Sequence, residues 1–121
     1  MHTKVSSYRD LIVWQKAMDL CGKVYLVTQD YPKIEIYGLT SQSRRCSVSI
    51  PSNIAEGYQR GHKAEYIQFL CIAFGSGAEL ETQLLIALRV GYLKQEKFNE
   101  LNTILSEVMK MLNSMINKLK N

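Results

Sequence analysis

Three features of the sequence predict an all-α fold, an antiparallel, up-down-up-down four-helix bundle. Apolar residues recur at spacings of three and four in four successive stretches, the signature of one buried face per helix. Only two prolines and seven glycines punctuate the chain, too few for a loop-rich β fold. The connections between the periodic stretches are short, which favours antiparallel neighbours. The length, 121 residues, suits a single domain spanning 1–121, with helices at about 10–28, 39–57, 63–90 and 95–119.

The first helix is expected to bury Trp14, Ala17, Met18, Cys21, Val24 and Tyr25, with Asp10 as its N-terminal cap and Pro32 beyond its end. The second carries the apolar stripe Leu39, Cys46, Ile50 and Ile54. Pro51 lies inside it and withholds a hydrogen bond from the Ser47 carbonyl, so a kink or local break is predicted there. Residues 57–62 then read as a basic loop. The third helix has Ile67, Leu70, Cys71, Phe74, Gly77, Ala78, Leu84, Leu85 and Leu88 on its apolar face, and Gly91 as the left-handed residue that ends it. The fourth has the most regular pattern: Phe98, Leu101, Leu105, Val108, Leu112, Met115 and Leu119 form a heptad-like seam that needs a partner helix.

The amino terminus lacks the apolar core of a signal peptide, and Leu84–Leu88, the longest aliphatic run, falls far short of the ~20 residues that span a bilayer. A cytoplasmic protein without a membrane partner is the expectation. Three cysteines, Cys21, Cys46 and Cys71, with no C-x-x-C spacing suggest neither a disulfide framework nor a metal site. They read as small hydrophobes.

Catalytic signals are weak. His2 and His62 stand alone, no E-x-x-H or nucleophile-elbow pattern occurs, and Glu79 and Glu81, two apart on a helix, face different ways. Gly75-Ser76-Gly77 falls in mid-helix with no preceding strand, so it reads as a place where a neighbouring helix comes close rather than a phosphate loop. No catalytic residue, cofactor, metal or small-molecule substrate is expected, and the chain reads as a non-enzyme.

Two patterns carry functional information. A polar stripe, Gln42, Arg45, Ser49, Asn53 and Glu56, borders the apolar stripe of the second helix and has a partial counterpart in Ser76, Glu79 and Gln83 on the third. These short, hydrogen-bonding residues predict a half-buried structural network at a helix–helix or subunit boundary, with Arg45 paired to Glu79 or Glu56 because a buried charge needs a partner. The second pattern is basic. The chain carries +4, and between Leu39 and Lys63 four cations (Arg44, Arg45, Arg60 and Lys63) meet one acid, Glu56. The last fourteen residues add Lys110, Lys118 and Lys120 without an acid. Clustered cations are rewarded on a phosphate backbone by counterion release, so Arg44, Arg60, Lys63, Lys110, Lys118 and Lys120 are the candidate nucleic-acid-binding residues, with Tyr58 placed to stack on a base.

The segments DLIVWQKAMDL, YGLTSQSRRCSVSIPSNIAEGYQRG and FLCIAFGSGAELETQLLIALRVGYL, with the specific string SIPSNIAEG at Ser49–Gly57, closely resemble the 23S rRNA-intervening sequence protein family over about Tyr8 to Leu93. The chain is also distantly similar to the accessory variability determinant proteins of diversity-generating retroelements. The resemblance implies a bacterial four-helix bundle assembling into a homopentameric ring, and, through the retroelement relatives, association with RNA or DNA. It also implies that Gln42, Arg45, Asn53, Glu56, Ser76 and Glu79 are motif positions of a shared structural network. Two departures stand out: Gly77 replaces a larger residue, and His62-Lys63 replaces the hydroxyl residue that often starts the third helix. The alternative function is an oligomeric protein scaffold with no nucleic-acid role, using an exposed part of the first or fourth helix.

Overall fold

The computed structural model describes residues 4–121, so the expectation placed on His2 lies outside the described residues. Four helices follow one another: α1 (Ile12–Thr28), α2 (Leu39–Arg60), α3 (Lys63–Arg89) and α4 (Gln95–Lys120). Single 3-10 turns precede α1 at Tyr8–Asp10 and α2 at Lys33–Glu35. Each helix packs on the two beside it, α1 on α2 and α4, and α3 on α2 and α4, while the diagonal pairs do not meet. With short links at both ends, that cyclic order is the predicted up-down-up-down bundle.

The core is a column of side chains. Leu20, Ile50, Ile54, Leu70, Leu80, Leu84, Leu101, Leu105 and Leu112 are all fully buried, each adding roughly 1.5–3 kcal/mol of transfer free energy. The α4 seam is buried as predicted from Phe98 to Leu112, but at its end Ile116 is buried while Met115 and Leu119 are half-covered. A straight helix turns every 3.6 residues rather than 3.5, so a strict heptad stripe drifts off the seam by its last turn.

Four local expectations are corrected. On α1 the buried residues are Val13, Ala17, Leu20, Val24 and Thr28, whereas Met18 and Tyr25 are exposed and Trp14 half-buried. Asp10 does not cap α1. It closes the preceding turn, accepting from Ser6 N (2.9 Å), Ser6 Oγ (2.9 Å) and Ser7 N (3.1 Å), and these hydrogen bonds hold its carboxyl below the usual range. On α3, Cys71, Ala78 and Leu85 face solvent and Ala73, Leu80 and Ala87 take the core. Finally, α2 does not stop at Gly57 but runs unbroken through Pro51 to Arg60, where Gly61 at φ +74° ends it.

Gly57 is instead a contact glycine. A Cβ there would lie 2.8 Å from Phe69 Cβ and 3.1 Å from a Tyr66 ring carbon, so only its bare backbone lets α2 and α3 approach this closely. In the Gly75-Ser76-Gly77 string, only Gly77 has that role, against the Met109 side chain; Gly75 has open space around it.

The loop end of the bundle is well tied. Glu35 Oε1 accepts from Leu39 N (3.0 Å) at the start of α2, where the helix dipole favours an anion, and Glu35 Oε2 accepts from the Tyr92 hydroxyl (3.0 Å). Tyr31 lies against Tyr92 with ring centroids 5.7 Å apart. Gly91, at φ +86°, closes α3 with the paired bonds Tyr92 N to Ala87 O (2.9 Å) and Gly91 N to Leu88 O (3.2 Å). At the other end, α3 starts from His62, whose side chain makes no capping bond.

Candidate functional site

The polar stripes of α2 and α3 do meet, in a half-buried seam along the outside of the bundle. Ser49 Oγ and Ser76 Oγ share a hydrogen bond of 2.8 Å, and Asn53 Nδ2 donates to the Ser49 carbonyl (2.7 Å) and hydroxyl (2.9 Å). The pairings differ from those expected of Arg45. Glu79 Oε2 accepts from the Cys46 thiol at 2.7 Å, and Glu56 pairs with Arg60 at 2.9 Å. Among the described residues Arg45 has no ion-pair partner; it is exposed and lines an open recess of about 450 Å³ with Gln42, Cys46, Glu79 and Gln83. Cys46 sits in this polar seam because a thiol is small enough for the core and can still donate a weak hydrogen bond.

Burial, helped by the hydrogen bond and charge of Glu79, pushes the Cys46 thiol up to about 11. It is therefore protonated near neutral pH and offers no thiolate nucleophile. The unfolded chain releases this proton near 9, so between 9 and about 11 the folded state binds more protons than the unfolded one. Stability is then full below pH 9 and declines as pH rises through that interval. Thermal melts across this range should show the decline, with a shallower slope in Cys46→Ala. Burial also raises Tyr31 to about 12, so part of the slope should remain in that variant. An unchanged slope would show that Cys46 is not buried against Glu79.

The six candidate cations do not share one surface. Arg44 is at the loop end, its Nε donating to Thr28 Oγ1 (2.9 Å) and its guanidinium lying 4.8 Å over the Tyr25 ring. There it closes the last turn of α1, where a cation complements the helix dipole. At the opposite end, Arg60 is shared between Glu56 (2.9 Å) and Glu65 (3.4 Å) and stacks 5.2 Å over Phe69. Tyr58 is half-buried edge-on against Tyr66, at 6.1 Å, so its ring is engaged within the bundle.

Lys63 opens α3 and Lys118 and Lys120 close α4. Gly77 lies level with Met109, and an antiparallel rise of ~1.5 Å per residue from that level brings all three lysines to the same end of the bundle. Lys110 lies higher on α4, beside a groove lined by Leu11, Ile12, Val13, Met111, Ser114 and Met115. Among the described residues these four lysines form no ion pair. No group of three or more His, Cys, Asp or Glu placed to hold a metal occurs among the described residues.

Sequence reasoning missed the second apolar face. Tyr8, Trp14, Met18 and Cys21 line a groove of about 340 Å³ with Val48, Pro51, Ser52 and Ala55 between α1 and α2. Its signal is the Trp14, Met18, Cys21, Tyr25 spacing, which on sequence alone reads as core. By length and composition α3 could cross a membrane, yet it packs against both neighbours here, with 28% of its most apolar stretch buried.

A solved structure shares this fold with a TM-score of 0.78. It is the crystal structure of a protein of unknown function from the S23 ribosomal protein family of Bacteroides thetaiotaomicron VPI-5482, 26% identical and matched over 87% of this chain and 98% of that one. No curated protein matches the chain. The family model for the 23S rRNA-intervening sequence protein matches residues 9–114, nearly the whole bundle. The chain therefore belongs to the 23S rRNA-intervening sequence protein family.

Proposed function

We propose that the chain is a non-catalytic, ring-forming protein of the bacterial cytoplasm that associates with RNA or DNA through the end of the bundle where α3 begins and α4 ends. The observation that carries this reading is the convergence there of Lys63, Lys118 and Lys120, none of them neutralised by a carboxylate among the described residues. Lys110 extends the positive surface along α4, whereas Arg60, at the same end, is already paired with Glu56 and Glu65. Arg44, engaged with α1 at the far end, fits a structural role better than a phosphate contact. Ammonium groups of this kind gain on a phosphate backbone by releasing its condensed counterions, whatever the base sequence.

Assembly into a ring, a homopentamer by the family resemblance, is supported by the apolar surface left uncovered. Ile72, Leu85 and Ile86 are exposed on α3 and Val90 just beyond its end, and Met18, Tyr25 and Val48 are exposed along α1 and α2. Such surface on a lone protomer marks a contact with another protein. The same surface favours the scaffold reading if its partner is a different chain.

Fluorescence anisotropy of labelled structured RNA and duplex DNA, read across a salt series, tests the proposal once light scattering has fixed the mass of the particle. Binding should weaken steeply with salt. The combined Lys63→Ala, Lys118→Ala and Lys120→Ala variant should lose about one unit of log–log slope per phosphate contact removed. Absence of binding to either nucleic acid at low salt would overturn the reading and leave the scaffold.

A further inference from the structure

The recess between α2 and α3 is built from unlike charges. Arg45 and Gln42 stand on one wall, Glu79 and Gln83 on the other, around a space of about 450 Å³, within the roughly 300–1,000 Å³ of small-molecule sites. Three of these groups have unused hydrogen-bonding capacity among the described residues. Arg45 makes no ion pair. Glu79 uses one carboxylate oxygen on Cys46 and leaves the other free. Gln83 is 8% exposed, and its carboxamide oxygen is buried with no partner. An orphaned buried amide oxygen costs about 1–3 kcal/mol, so its presence beside a recess calls for a donor there. The terminal amide torsion is broad, so the carboxamide of Gln83, which lines the recess, can rotate to meet a donor.

The lining discriminates among occupants. No aromatic side chain is present to stack on a nucleobase, and Glu79 repels a phosphate. No large aliphatic side chain is present to receive an apolar ligand. What remains is a compact molecule with a cationic donor toward α3 and an anion toward α2. We propose that this recess binds a free α-amino acid, its carboxylate held by the Arg45 guanidinium and its ammonium by the Glu79 carboxylate and the Gln83 carboxamide oxygen. The planar guanidinium suits a carboxylate, which it can grip through two parallel N–H donors. The proposal is independent of the nucleic-acid surface, which lies at the end of the bundle.

The test is calorimetric titration and thermal melting of the full chain with each common L-α-amino acid at millimolar concentration. The N-acetyl and carboxamide derivatives, which each lack one of the two charges, serve as matched probes. At least one free amino acid should bind saturably and raise the melting temperature, and both of its derivatives should fail. Arg45→Gln and Glu79→Gln should each weaken binding by roughly tenfold or more, the scale of a lost hydrogen bond to a charged group. Arg45 is exposed, and glutamine at 79 still accepts from Cys46, so both variants should melt like the parent without ligand. The proposal is overturned if no free amino acid binds, if a singly charged derivative binds as tightly, or if both variants bind like the parent.

Discussion

Leu112→Asp is expected to abolish the folded bundle. Leu112 is fully buried on the seam of α4, on the same apolar stripe as Leu101, Leu105, Val108 and Ile116. A carboxylate there either sheds its hydration without a partner or takes up a proton at a matching cost, several kcal/mol in either case. That rivals the whole ~5–15 kcal/mol stability of a domain. Circular dichroism should show loss of the helical signal or of the cooperative melt at ordinary temperature. Leu112→Met, close in volume, should stay within about 1.5 kcal/mol of the parent. If the Asp variant melted within a few degrees of the parent, α4 would not pack by this face.

The second large effect is a contrast of sign between two glycines. Gly57→Ala places a methyl group 2.8 Å from Phe69 Cβ, an atom fixed to the α3 backbone, so the two helices must separate. Such overpacking costs about 1–3 kcal/mol and outweighs the helix-propensity gain. Gly75→Ala meets nothing within 4 Å, so the propensity term acts alone and should stabilise by about 0.5–1 kcal/mol. Denaturant unfolding of the two variants should therefore move in opposite directions. A stabilised Gly57→Ala would mean that α2 and α3 are not in the contact described.

These positions also show what was legible in the sequence. Four helices were readable because one face of each is apolar at helical spacing, and the ends of α3 and α4 were set by Gly91 and by the start of the α4 stripe. The end of α2 was misplaced because Gly57 and Gly61 are indistinguishable as letters; one serves close packing and the other a left-handed turn. On α1, two apolar stripes run side by side one residue apart, Val13-Ala17-Leu20-Val24 and Trp14-Met18-Cys21-Tyr25. Spacing identifies both and ranks neither. The expected set mixes the two: Ala17 and Val24 are buried as expected, Val13 and Leu20 take the remaining interior places, and Met18 and Tyr25 lie outside.

The polar seam was legible as a stripe but not as pairs. Spacing placed Ser49, Asn53, Ser76 and Glu79 on facing sides, whereas the partner of Glu79 is Cys46, which spacing assigned to the apolar set. Nor could spacing separate Arg44 from Lys63, since both fall in one basic stretch of sequence and the antiparallel path of α2 carries them to opposite ends.

The two ends of the bundle are secured very differently. One is cross-tied by Glu35, which holds the first turn of α2 and the Tyr92 hydroxyl together while Tyr31 lies against the same ring. The other turns from α2 to α3 through Gly61 and His62. It is tied across those two helices by Arg60, which pairs with Glu65 and stacks over Phe69, and by the edge contact of Tyr58 on Tyr66. Those ties join α2 to α3, whereas the lysines proposed to meet nucleic acid stand on α3 and α4, so a bound phosphate backbone would bridge a different pair of helices.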